Sequence, residues 1–177
     1  MKPKALVLAT AMTVGCAITA SYAAEAARED AALSRAKVSM NQAITVAEEQ
    51  GSGQAIDAEY TPKSGSAGIY DVKVLTMDGK KLLDFNINPE NGRVLKATRE
   101  RAGKVFTRIK PKDLQNAQTP LKGAIKTAEA QTGGKAVRAD TDRKGDTVRY
   151  TVKVVMADGK TQTINVNGAD GKVASAR

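Results

Sequence analysis

The chain spells out one structural unit twice. From Ala43 it reads Ala43-Ile44, Ala47-Glu48, Gln50, Gly53, Ile56, Ala58, Tyr70, Val72, Lys73 and Val74. From Ala124 it reads Ala124-Ile125, Ala128-Glu129, Gln131, Gly134, Val137, Ala139, Tyr150, Val152, Lys153 and Val154. Each run continues into Asp-Gly-Lys, at Asp78-Gly79-Lys80 and Asp158-Gly159-Lys160. Each then closes on Asn-apolar-Asn, a short loop, Gly, a base and Val: Asn86-Ile87-Asn88 to Val94, and Asn165-Val166-Asn167 to Val173. A match this long and in one order means two copies of one supersecondary unit.

Within a copy the apolar spacing changes from helical to extended. Met40, Ala43, Ile44 and Ala47 fall at i, i+3, i+4 and i+7, one face of a helix. Ser39 and Gln42 have capping-box spacing, and Gly51 is expected to take the left-handed turn after the helix. The second copy repeats this with Leu121, Ala124, Ile125 and Ala128, with Thr119 as cap, Pro120 at the first helical position and Gly133 as stop. A first strand is expected over Gln54–Tyr60 and over Lys135–Asp140. The clearest strands follow. Tyr70, Val72 and Val74 alternate with Asp71 and Lys73; Val148, Tyr150, Val152 and Val154 alternate with Arg149, Thr151 and Lys153. One face is apolar and the other charged, so the sheet is expected to be covered on one side only. The Asp-Gly pairs mark hairpins, because glycine accepts the positive φ such turns need. The predicted fold class is α+β: two tandem repeats, each one helix packed on an antiparallel meander sheet.

The flanks read differently. Residues 1–23 have the form of a secretory signal peptide: Lys2 and Lys4, an apolar run from Ala5 to Ala20, and small residues before a cut between Ala23 and Ala24. That run is too short and too rich in Ala and Thr to span a bilayer, so no transmembrane segment is expected after cleavage. The location read from this is periplasmic or secreted. A lipid on Cys16 is the lesser alternative, because Thr13 stands where a large aliphatic is usual. Residues 24–37 read as a mobile tether, 38–100 as repeat 1, 101–118 as a basic linker and 119–177 as repeat 2.

Composition removes whole classes of chemistry. The chain has no histidine, and its one cysteine lies in the leader. Zinc and copper lose their usual ligands, and cysteine nucleophiles and Ser-His-Asp arrangements are excluded. No cofactor or metal is expected, and no enzymatic activity. Of two small cores, each must hold without disulfides. The net charge is +9, concentrated in the linker and the second copy. With 3% aromatic residues the chain cannot build stacking platforms, so nucleic acid is not the expected partner.

These residues resemble the PepSY family. The resemblance rests on a helix with Ala-x-x-x-Ala-Glu, a Tyr-x-Val-x-Val strand, an Asp-Gly turn and a closing strand ending Gly-x-Val, in tandem over nearly all of the chain beyond the leader. The tandem array is also similar to two-repeat inhibitors of the β-lactamase-inhibitor type. The PepSY resemblance implies a peptidase-inhibiting or protein-binding module of the cell envelope rather than an enzyme. Asn88 and Asn167 stand where the family usually carries Asp, and no peptidase domain follows, so inhibition in cis is not implied.

Individual side chains add little. Asp140-x-Asp142 with Gly145 and Asp146 lacks the oxygen ligands of a calcium loop, since Lys144 occupies one position. Glu48, Glu49 and Glu129 read as surface helix charges. The leading expectation is a protein partner in the envelope, with a peptidase among the candidates, bound by the exposed sheet face through Tyr60, Asp71, Lys73, Arg149, Thr151 and Lys153. The competing reading is a small-ligand or metal-sensing module.

Overall fold

The computed structural model describes residues 33, 35–63, 65–101 and 109–176. The expected leader, Cys16, most of the tether, Ser64, Lys104, Val105, Phe106 and Arg108 lie outside them. The first copy is α1 (Met40–Gly51), β1 (Gly53–Thr61), β2 (Ile69–Thr76), β3 (Lys81–Ile87) and β4 (Val94–Arg101). The second is α2 (Pro111–Gln115), α3 (Leu121–Thr132), β5 (Lys135–Lys144), β6 (Thr147–Val155), β7 (Thr161–Asn167) and β8 (Val173–Ala176). The fold is α+β, as the pattern predicts, with α1 and α3 packed on one side of an antiparallel sheet.

That sheet is one, not two. Its order is β4-β3-β2-β1-β5-β6-β7-β8. The copies join where β1 pairs antiparallel with β5: Asp57 opposite Asp140, Ala58 opposite Ala139, Glu59 opposite Arg138. Ala58 and Ala139 hold the same place in both copies, so the register centres on an approximate two-fold axis. The buried apolar residues of both copies form a single cluster, where the sequence suggested two small cores.

Local chemistry explains the ends of the elements. Ser39 caps α1 with a capping box: its Oγ accepts the Gln42 N–H (3.3 Å) and its own N–H donates to Gln42 Oε1 (2.8 Å). The left-handed residue after α1 is Ser52 (φ 47), not Gly51. A Cβ on Gly51 would stand 2.9 Å from Val74 Cγ1, so this glycine serves close packing and the turn falls one residue later. In the second copy Gly133 takes the turn (φ 70). Thr119 does not cap α3 with its side chain. Its backbone is used instead: the N–H donates to the Gly168 carbonyl (3.0 Å), and the carbonyl accepts the Tyr150 hydroxyl (2.8 Å).

Glu48 and Glu129 are not loose surface charges. Glu48 Oε1 accepts the Ala55 N–H (3.0 Å) and Glu129 Oε1 the Ala136 N–H (2.9 Å). Each carboxylate ties the last turn of its helix to a bulge in the next strand, between Ala55 and Asp57 or Ala136 and Arg138. The units also begin earlier than the apolar spacing suggests. Leu33 is buried in the first copy and Leu114 in the second, each followed by a turn, Ala36 N–H to Leu33 O and Ala117 N–H to Leu114 O. Burying a leucine is worth about 1.5–3 kcal/mol, so these residues are docked parts of the fold rather than tether and linker. On the far side of the sheet Leu75 and Leu82 are also buried. Ile109 packs against the core, so that side is not wholly bare.

Candidate functional site

Strand register arranges the far side of the sheet into transverse rows. One row runs Asp84, Lys73, Asp57, Asp140, Thr151, Asn165 across six strands. The neighbouring row runs Asn86, Asp71, Glu59, Arg138, Lys153, Thr163. The period-two pleat puts all of these on one face, opposite the helices. Five of the six residues picked from strand alternation stand there: Asp71 and Lys73 on β2, and Arg149, Thr151 and Lys153 on β6, each partly exposed.

Tyr60 does not. It is 2% exposed, its hydroxyl donates to the Ala67 carbonyl at 2.8 Å, and its ring packs 5.4 Å from that of Tyr70. The alternation Ala58, Tyr60 puts it on the helix side, a signal that was present in the sequence. Tyr70 and Tyr150 are likewise buried. Their hydroxyls tie the sheet to the residues before α1 and α3, by bonds to the carbonyls of Val38 (2.9 Å) and Thr119 (2.8 Å).

The centre of the rows was missed, because nothing within one copy says that β1 meets β5. Arg138 holds it together. Its Nε and Nη2 donate to the two oxygens of Asp140 (2.8 and 3.0 Å), and its Nη1 to Glu59 Oε1 (3.0 Å). Beside it Asp57 faces Asp140 directly. Burial first, then the Asp140 charge, raises Asp57 to about 6, while Lys73 and Arg138 work against the rise. Asp57 and Asp140 border a shallow cavity of about 350 Å³ with Ile56, Leu82 and Ile109 as apolar walls. Among the described residues no group of three His, Cys, Asp or Glu is placed to hold a metal.

Outward from the centre, each copy continues with a short polar chain. In the first, Thr61 donates to Asp71 (3.2 Å), which also accepts from Asn86 Nδ2. In the second, Thr151 donates to Asn165 Oδ1 (3.0 Å), and Asn165 Nδ2 donates to Ser175 (2.9 Å). The face is a fixed grid of donors and acceptors on strands. Among the described residues of this face no Ser, Thr or Lys is hydrogen-bonded to a histidine or cysteine, since the chain has no histidine and its one cysteine is Cys16.

The family model for the peptidase propeptide and YPEB domain, PepSY, matches residues 37–98 and again 120–177. The chain is similar to the uncharacterized membrane protein YkoI of Bacillus subtilis (strain 168), 31% identical over 94 residues. That match covers 51% of this chain and 42% of the relative, so it spans less than half of the relative's length. A candidate lipoprotein of Clostridium difficile 630, solved by crystallography, aligns with a TM-score of 0.49 at 18% identity, over 80% of this chain and 93% of that one. The two matched regions cover most of the chain and coincide with the two copies: this protein belongs to the PepSY family, as a tandem of two such domains.

Proposed function

We propose that this protein is a non-enzymatic, exported binding module of the cell envelope that docks another protein on the far face of its sheet, a peptidase being the partner class favoured by the family. The observation that carries the reading is the pair of transverse rows centred on the β1–β5 seam. Twelve side chains on six strands are held at fixed spacing there, and a rigid polar grid gives specificity by register. The family model, described as a peptidase propeptide domain, supports the partner class. A photo-crosslinking residue at Thr151 tests the face, with one at Lys126, exposed on α3, as control. Capture of one protein from Thr151 and not from Lys126 is expected, and that protein should be a peptidase. Capture from Lys126 alone would move the docking surface to the helix layer.

A further inference from the structure

The two-fold relation between the copies creates two equivalent sites between the helices, and they are not filled alike. At the first, the end of α1 meets the start of α3. Lys122 Nζ lies 2.7 Å from Glu48 Oε2 and 3.3 Å from Thr45 Oγ1. At the second, the end of α3 meets the start of α1. Glu129 matches Glu48, and the residue in the place of Lys122 is Asn41. There Glu129 gives one oxygen to the Ala136 N–H and makes no ion pair among the described residues. Asn41 Oδ1 is buried and has no hydrogen-bond partner. A cavity of about 330 Å³ opens at this second site, lined by Glu129 and Tyr70 with Leu33, Val38 and Met40. Burial first, then Tyr60 and Glu129, pushes the Tyr70 hydroxyl above its ordinary range, and that hydroxyl is already bonded to the Val38 carbonyl at 2.9 Å.

We infer that this cavity receives a lysine side chain of a bound protein, its ammonium at Glu129 and its alkyl stem along Val38 and Met40. The first site shows the polar half of this arrangement made within the chain: the Lys122 ammonium on the equivalent glutamate and on the Thr45 hydroxyl. At the second site Asn41 stands in the place of that lysine, the carboxylate has no ion-pair partner among the described residues, and the cavity opens beside it. A half-buried carboxylate such as Glu129 favours a partner of opposite charge, and an alkyl ammonium supplies both charge and stem. Lys37 and Lys135 stand on the cavity rim, where the first site has Gln118 and Gln54. They disfavour a ligand with a second positive charge and so favour a lysine within a peptide over a free diamine. The inference deepens the protein-binding reading and rests on it only for the source of the lysine.

The test uses the intact chain, labelled with nitrogen-15, and titrates it with Nα-acetyl-lysine amide, Nα-acetyl-norleucine amide and cadaverine. Saturable amide shifts at Val38, Gly134 and Ala136 are expected with the lysine compound, none with norleucine, and weaker ones with cadaverine. Glu129→Gln keeps an acceptor for the Ala136 N–H but removes the charge, and should weaken binding at least about tenfold. Asn41→Lys places an ammonium where Lys122 sits in the other site and should abolish the shifts. It keeps the test decisive if Glu129→Gln does not fold. No saturable shift, equal shifts with norleucine, or unchanged shifts in Asn41→Lys would overturn the inference. Cadaverine binding as tightly as the lysine compound would overturn the protein source. Failure of the far-face reading would appear at the Thr151 crosslink and leave these titrations unchanged.

Discussion

The two copies bury the same side chains and expose different ones. On the helix side Ile44 matches Ile125, Val72 matches Val152, Val74 matches Val154 and Tyr70 matches Tyr150, all buried. On the far face Asp57, Glu59, Asp71 and Asp84 of the first copy stand where the second has Arg138, Asp140, Thr151 and Thr163. Packing constrains volume at one side of the sheet; nothing in the fold constrains charge at the other. The first half of the face is therefore acidic and the second half neutral to basic, on one backbone plan. The difference locates what the fold needs and what it leaves open for recognition.

The largest effect should come from separating the halves. A fragment of residues 109–177 loses the β1 partner of β5 and exposes a bare edge strand. It is expected to melt well below the full chain or to dimerise through β5, measured by circular dichroism and sedimentation. A monomeric fragment as stable as the full chain would show that the seam adds nothing and that the copies are independent. Next in size are the matched core truncations. Ile44→Ala and Ile125→Ala should each cost about 2–5 kcal/mol in urea unfolding through cavity formation. Because both residues are fully buried, the two costs should agree, and a wide gap would break the equivalence of the copies.

The repeat, the helix spacing, the alternating strands and the Asp-Gly turns were legible because each depends on neighbours in sequence. The β1–β5 seam was not, because pairing between copies leaves no local mark: Asp57-Ala58-Glu59 and Arg138-Ala139-Asp140 read as ordinary strand ends. Ser52 was missed because the demand on Gly51 comes from Val74 across the core. The roles of Glu48 and Glu129 depend on bulges seen only once strands pair. Tyr60 was misplaced although Ala58 and Tyr60 already share the helix-side phase.

The seam carries a pH signature that only one arm of the two-fold has. Glu59 faces Arg138, but Asp57 faces Asp140. Asp57 is raised from 3.8 to about 6, so the folded state holds a proton that the unfolded chain releases near pH 4. Folding therefore binds more protons between these values, and stability falls as pH rises through that window. The penalty is absent below pH 4 and complete above pH 6. Allowing for partial access of water to Asp57, it should be about 1–2 kcal/mol. Asp57→Asn should flatten the curve of unfolding free energy between pH 4 and pH 7. A curve as steep in the variant as in the parent would assign the proton elsewhere.

The smallest stability effects should separate the copies most sharply in binding. Lys73 and Lys153 occupy the same place in the two repeats, yet their neighbours differ. Lys73 stands between Asp84 and Asp57; Lys153 stands between Arg138 and Thr163. Opposite charges across strands each contribute about 0.2–1 kcal/mol. Lys73→Ala should therefore cost up to about 1 kcal/mol, since it leaves two acids facing each other beyond it and removes the cation that restrains Asp57. Lys153→Ala removes a cation from beside another cation and should leave stability unchanged within about 0.5 kcal/mol. For a docked partner the order should reverse. The charge of Lys73 is already answered within the chain, whereas that of Lys153 is offered outward, where it steers association and gives it salt dependence. Crosslinking yield from Thr151 should fall in Lys153→Ala and in Lys153→Glu, and fall less in Lys73→Ala, with the gap closing as salt is raised. Equal yields from all three at low salt would mean that the unneutralised half of the face takes no part in recognition, and that the acidic half, beginning at Asp71, carries it.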